Sequence, residues 1–236
     1  MYAKFISTLT ENAFLFLIYA LGIAFCAHVL PEAASLGVQL VLYGHLAFYC
    51  HRITLTGETY SFRSWGDKRG LQSYAIKPFV WRYLALSFVL VALVFGASLL
   101  TLSINPALTI FGGLSAVPIY GIVLALIGTV LPAASIEEDA SLGAAWRRGK
   151  LTFWRTVLRL TLGYGVLLSI AVLLIASLVP SLSGIGIPET IIPHLVALSS
   201  AYVSCCVVLL TAMALSFAYQ EAEAIQPTAG DPHGRS

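Results

Sequence analysis

The stretch Tyr83–Ile136, "YLALSFVLVALVFGASLLTLSINPALTIFGGLSAVPIYGIVLALIGTVLPAASI", contains no Asp, Glu, Lys or Arg. Crossing about 30 Å of hydrocarbon takes about 20 helical residues, so the stretch is long enough to cross twice. Asn105-Pro106 in "SINPA" supplies the break between the crossings. The rest of the chain agrees: 58% of its residues are hydrophobic and 10% charged, with a mean hydropathy of +0.88. A soluble domain is about a quarter charged, and one of this length could not cover its surface with so few charges. The expected class is an all-α polytopic membrane protein.

The same reasoning places six transmembrane helices at about 13–30, 33–53, 79–103, 107–131, 157–179 and 191–218. Pro31, Pro78, Pro106, Pro132, Pro180 and Pro193 punctuate their ends, where a missing backbone donor costs least. Pro118 falls inside the fourth span and predicts a kink. The first span follows Lys4 as a signal peptide would, but "GIAFCAHVLPE" has no small-x-small cleavage site, so it reads as a retained span. Residues 1–225 form a single six-span domain. The tail after Ile225, "QPTAGDPHGRS", is polar and Pro/Gly-rich, which predicts disorder over 226–236.

With six spans, all thirteen Lys and Arg residues fall on one side. Lys4 precedes the first span. Arg52, Arg63, Lys68, Arg69, Lys77 and Arg82 lie between spans two and three. Arg147, Arg148, Lys150, Arg155 and Arg159 lie between spans four and five or just inside the latter, and Arg235 ends the tail. The positive-inside rule puts this side, with both termini, in the cytoplasm. Trp65, Arg69, Trp81 and Arg82 in one connection, and Trp146, Arg147, Arg148, Trp154 and Arg155 in the other, are candidate membrane-interface anchors. Their rings suit the headgroup level and their charges suit anionic lipid headgroups. "WGDKRGLQSYAIKPFVWRYLALS" and "WRRGKLTFWRTVLRLTL" align loosely, which suggests a parallel duplication of spans two–three and four–five. "SIEEDASLGAAWRRGK" reads as a short amphipathic cytoplasmic helix before span five. Ser135 and Glu138 have capping-box spacing and Gly149 is placed to end it.

Three fragments suggest chemistry. "TLGYG" at 161–165 has the letters of a potassium-channel filter but sits at the cytoplasmic end of a continuous span, where helix-packing glycines are the better account. Gly113, Ser115 and His194, on spans four and six, resemble the serine–histidine pair of rhomboid intramembrane proteases. The match departs at the Ala after Ser115, at the shallow His194 and at the bare first outer turn. His28 and His194 lie at similar depth near the outer ends of spans one and six, as bis-histidine haem ligands would, though interfacial histidines explain them as well. Cys26, Cys50, Cys205 and Cys206 lack ligand spacing and read as small apolar packing residues. No P-loop, zinc-protease, dinucleotide or nucleophile-elbow motif occurs. No cofactor, metal or nucleic-acid partner is expected.

"HRITLTGE", His51–Glu58, is similar to an element of uncharacterised multi-span inner-membrane proteins of alphaproteobacteria. "SLGAAWRRGKLTFWRTVLRL", Ser141–Leu160, is similar to a loop of the same proteins, and of the membrane domain attached to some glycerophosphodiester phosphodiesterases. The resemblance implies a bacterial inner membrane and no established activity. The expected function is a non-enzymatic scaffold, anchor or accessory subunit of a membrane complex, partnered by the lipid bilayer and another membrane protein. The alternatives are a carrier for lipid or a small solute, then a rhomboid-like protease. A carrier should hold a polar, small-residue-lined cavity between spans near Gly112, Gly113, Ser115 and Pro118; a scaffold should show tight apolar packing and a lipid-facing apolar patch shared with a partner.

Overall fold

The computed structural model describes residues 2–60, 76–104, 116–184, 188 and 190–225. The connection carrying Trp65 and Arg69, the Asn105-Pro106 break, Gly112, Gly113, Ser115 and the tail lie outside them. Among the described residues every regular element is helical: α1 Tyr2–Glu11, α2 Ala13–Val29, α3 Glu32–Thr56, α4 Ile76–Ile104, α5 Ala116–Ile127, α6 Val130–Ser135, α7 Leu142–Gly184 and α8 Ile192–Ile225.

Three helices, α3, α4 and α8, are long and apolar enough to cross a membrane, and the bent pair α1–α2 makes up to four. That pair turns by 76° at Asn12, which is wholly buried. The Asn12 side chain donates to the Thr8 carbonyl at 2.9 Å and accepts the Tyr60 backbone N–H at 2.6 Å, so both polar ends of this buried amide have partners. Tyr2–Glu11 therefore form a helix of their own before α2, where the sequence suggested only a lead-in. Phe5 and Thr8 of α1 turn inward while Ile6 is exposed.

The helix α8 is the axis of the bundle. One set of its residues, including Cys205, Leu209 and Met213, packs with Phe5, Phe16, Tyr19, Leu46 and Ile53 of α1, α2 and α3. Another, Ala214 and Leu215, packs with Phe48, Phe79, Leu124, Leu131 and Leu160 of α3 to α7. A helix apolar all round is stable only when enclosed in this way or facing lipid. Cys50, Cys205 and Cys206 are free and buried here, as small packing residues.

Around the fourth and fifth spans the expectations need correction. The helix expected over 107–131 ends at Ile127, breaks at Gly128-Thr129, and restarts as α6, whose six residues are all buried. The residues before Ala116, on which the kink expected at Pro118 depends, lie outside the described ones. No separate surface helix precedes span five. Ser135 ends α6, Glu137 takes a left-handed φ of 62°, and α7 begins after Ser141. The Ser141 hydroxyl accepts the Ala144 N–H at 3.2 Å, and Asp139 caps Ser141 in turn, which is N-cap geometry. From there α7 runs 43 residues, about 65 Å at 1.5 Å per residue.

Gly149 does not stop this helix. A Cβ there would overlap the Leu126 carbonyl oxygen and sit 2.7 Å from that of Ala125. The missing side chain lets α7 cross the end of α5 at backbone contact. Gly163, in "TLGYG", is likewise pressed against Leu210 of α8, whereas Gly165 faces open space. Of the two glycines in the filter-like string, Gly163 alone is a packing residue.

Candidate functional site

The described ends of the helices sort by charge. Lys4, Arg52, Lys77, Arg82, Arg147, Arg148, Lys150, Arg155 and Arg159 lie toward one end of the bundle, and His28 and His194 toward the other. At the basic end the ion pairs cross between elements. Arg148 donates to Glu223 at 2.6 Å and to the Asp139 carbonyl at 2.9 Å, with its guanidinium 4.8 Å from the Tyr219 ring centre. Arg159 pairs with Glu221, and Lys4 reaches the Thr54 carbonyl at 3.3 Å.

The anchor candidates divide into two groups. Trp81, Trp146 and Trp154 are exposed, Trp154 by 78%, as are Arg82, Arg147 and Arg155. Arg148 differs: it is 5% exposed, and the Glu223, Asp139 and Tyr219 contacts above occupy its guanidinium. Trp65 and Arg69 fall outside the described residues.

The "HRITLTGE" element closes on itself. Gly57 takes φ 73° and caps α3 with an N–H to the Ile53 carbonyl at 3.1 Å, a conformation glycine adopts without strain. This turn brings Glu58 back against Arg52, whose Nε donates to the carboxylate at 3.1 Å and whose Nη1 donates to the Ser135 carbonyl at 3.1 Å. Burial alone would raise the Glu58 carboxyl, but hydrogen bonds from Arg52 and Tyr60 and the guanidinium charge hold it below the ordinary carboxylate value. The Tyr60 phenol, outside the spans, is raised by burial and by the neighbouring Glu58, so it stays a donor.

The neighbouring His51 turns the other way. It is 1% exposed, with Nδ1 2.9 Å from the Ser216 hydroxyl of α8. Its ring lines a chamber of about 70 Å³ shared with Tyr83, Ser87, Tyr120 and Thr211. Tyr120 and Thr211 approach at 3.5 Å, and Tyr83 bonds Ser87. The chamber shares Ser87, Leu90 and Tyr120 with a cleft of about 600 Å³ between α4, α5, α7 and α8. Val91 and Phe95, which line this cleft, are 63% and 62% exposed, so it opens through the side of the bundle. Beyond Gly121 and Thr161 a further groove of about 270 Å³ leads past Pro118 and Ile122 to Trp154. Among the described residues no charged side chain lines any of the three.

The groove at Pro118 is lined mainly by Ile122, Phe153, Trp154 and Val157, so it is not the polar, small-residue-lined cavity expected there, and Gly112, Gly113 and Ser115 lie outside the described residues. The main volume lies on the α4 side, at Ser87, Leu90, Val94 and Ser98. Those four recur at helical spacing on one face of α4; the two serines on that face were the available signal. Of the other sequence candidates, Ser115 lies outside the described residues, and His194 faces His28, ring centres 4.5 Å apart at an interplanar angle of 87°. Two axial imidazoles on one haem iron flank it from opposite sides, with ring centres about 6.4 Å apart if each nitrogen is about 2.0–2.1 Å from the metal. The observed pair is too close for that arrangement.

No family model, no curated protein and no solved structure matches this chain.

Proposed function

We propose that the chain is a six-span membrane protein that binds a neutral amphiphile in the lateral cleft between α4 and α5–α8. The remaining crossings are α5 and the apolar second half of α7. The basic end faces the cytoplasm by the positive-inside rule, so both termini lie there. Exposed Trp81, Trp146 and Trp154, with Arg82, Arg147, Lys150 and Arg155, meet anionic headgroups. The bacterial inner membrane is the location that the resemblance of "HRITLTGE" and "SLGAAWRRGKLTFWRTVLRL" supports.

The observation that carries this reading is that the apolar cleft adjoins the chamber at His51, where Tyr83, Ser87, Tyr120 and Thr211 supply polar groups, and shares Ser87, Leu90 and Tyr120 with it. A volume of about 600 Å³ is within the range of about 300–1,000 Å³ typical of small-molecule sites. A hydrocarbon chain fits the walls, and hydroxyls and imidazole fit a small head bearing a carbonyl or hydroxyl. A charged head would have no counter-charge and would be costly to bury. A scaffold packed tightly throughout would lack such a volume, so lipid carriage ranks ahead of the accessory-subunit reading.

The test is extraction of bound lipid from protein purified in mild detergent, compared with Val94→Trp and Gly121→Leu variants that fill the cleft and with Leu99→Trp outside it. A neutral lipid retained by the parent and by Leu99→Trp but lost from the cleft variants supports the proposal. Identical lipid content in all four overturns it. Loss of a stoichiometric protein partner instead, with lipid unchanged, supports the accessory-subunit reading.

A further inference from the structure

The opposite end of the bundle carries a separate feature. His28 sits in the last turn of α2 and His194 in the first turn of α8. Both are exposed, on different helices, yet their rings meet at 4.5 Å between centres. We propose that His28 and His194 form a two-imidazole site for a divalent transition-metal ion that prefers tetragonal coordination, the copper(II) and nickel(II) class.

The separation of the two rings is one that a shared ion fits. With a metal–nitrogen distance of about 2.0–2.1 Å, each ring centre lies about 3.2 Å from a bound ion. Two imidazoles at right angles around it then have centres about 4.5 Å apart, and a tetrahedral pair about 5.2 Å. The observed 4.5 Å, within the ordinary range of an edge-to-face ring contact, is nearer the first. Tetragonal nitrogen and oxygen ligation is the preference of copper(II) and nickel(II), whereas zinc favours the tetrahedron. Among the described residues no group of three His, Cys, Asp or Glu converges here; water can fill the positions the two imidazoles leave open. Each imidazole gives a nitrogen lone pair while neutral and keeps its other ring N–H for solvent. Neither ring is held by the core, so the ion would clamp the outer end of α2 to that of α8. This inference does not rest on the lipid cleft, which lies across the bundle.

The experiment uses the untagged full-length protein in detergent, titrated with nickel(II), copper(II) and zinc(II). Binding is read as bound ion per chain and as the shift in unfolding temperature. One nickel or copper ion per chain, a raised unfolding temperature and two nitrogens in the copper(II) spin-resonance spectrum are expected. Losing an outer-shell partner weakens a metal site about 10–100-fold, and losing a ligand costs no less. His28→Ala and His194→Ala should therefore each weaken nickel binding by about tenfold or more, while His45→Ala and His233→Ala leave it unchanged. Unfolding temperatures of the metal-free variants equal to the parent's show that the fold survives. Binding unchanged in both His28→Ala and His194→Ala, or abolished by His233→Ala, means an adventitious ion only and overturns the proposal, as does absence of binding to the parent.

Discussion

Arg52 and Glu58 are six residues apart across a left-handed glycine, and the Arg52 guanidinium joins that carboxylate to the Ser135 carbonyl at the end of α6. One side chain thus ties the end of α3, the turn that follows it and the α6 break. The Arg52 and Glu58 side chains are 10% and 29% exposed, so the pair is partly desolvated. Removing one partner of a fully buried pair costs about 3–5 kcal/mol. With this exposure Glu58→Gln should cost less, about 1–3 kcal/mol, and Arg52→Ala more than Glu58→Gln because it also orphans the Ser135 carbonyl. Thermal unfolding in detergent measures both.

The same pair sets a pH dependence. The Glu58 carboxyl titrates below its ordinary value of 4.5. A carboxylate depressed on folding contributes stability that is complete above the unfolded value and is lost as pH falls through the folded one. Unfolding temperature should therefore decline more in acid for the parent than for Glu58→Gln, with the curves parallel above about pH 5. Equal acid slopes in the two proteins would rule out Glu58 as the source.

Three glycines of α7 give an ordered series. An alanine methyl at Gly149 meets the backbone carbonyls of Leu126 and Ala125, which cannot step aside; at Gly163 it meets the flexible end of Leu210; at Gly165 it meets nothing within 4 Å. Overpacking costs about 1–3 kcal/mol and sometimes more, whereas relief of glycine's helix penalty returns up to about 1 kcal/mol. Unfolding temperatures should fall in the order Gly165→Ala, Gly163→Ala, Gly149→Ala, with the first at or above the parent.

Orientation has a direct test in two positions. Cys26, near the end of α2 that carries His28, is half-buried, while Cys50, Cys205 and Cys206 are buried in the core and should react from neither side. Impermeant maleimide added to intact cells should label Cys26. It should not label a cysteine placed at exposed Ser7 on α1 in a Cys26→Ala background until the membrane is opened. The reverse pattern would invert the topology.

The helical class was legible in Tyr83–Ile136, because an uncharged run of that length has few other solutions. The one-sided charge count was legible too, and the described basic residues do gather at one end. What sequence reasoning missed depends on packing across elements. Gly149 has the letters of a helix stop, and only the approach of α5 explains why the helix passes through it. Asn12 looks like an ordinary polar residue until the Tyr60 N–H arrives from a connection 48 residues on. The cleft face of α4 is periodic in Ser87 and Ser98, but a face toward a cavity and a face toward a neighbouring helix have the same period. His28 and His194 share a depth in the sequence reading; their contact is set by how α2 and α8 lean together.

The basic connection before and within α7 contains two kinds of arginine that the sequence does not distinguish. Arg147, Lys150 and Arg155 are exposed, and Lys150 lies 5.3 Å from the ring centre of Trp146. Arg155 approaches Glu221 at no closer than 3.8 Å, a distance at which an exposed pair adds little. Near an anionic surface each such residue contributes about 1 kcal/mol, so single alanine variants at these positions should keep normal abundance and unfolding temperature. Neutralising all three removes about 3 kcal/mol of attraction by the same reckoning, and weakens the signal that keeps this end inside. Mixed orientation or rapid degradation is expected for the triple variant, read by protease accessibility and by blot. Arg148 is the exception. Its guanidinium is buried against Tyr219 and hydrogen-bonds Glu223 and the Asp139 carbonyl, which joins the start of α7 to the end of α8. Arg148→Ala alone should therefore lower stability by about 1.5–3 kcal/mol, the range for hydrogen bonds to charged groups, while orientation stays intact. Lysine at this position keeps the charge but loses the planar contact and the second donor, so Arg148→Lys should recover only part of that loss. If Arg148→Ala instead behaves like Arg147→Ala, stable and correctly oriented, then Arg148 is a headgroup contact after all and the α7–α8 junction is held by its apolar packing.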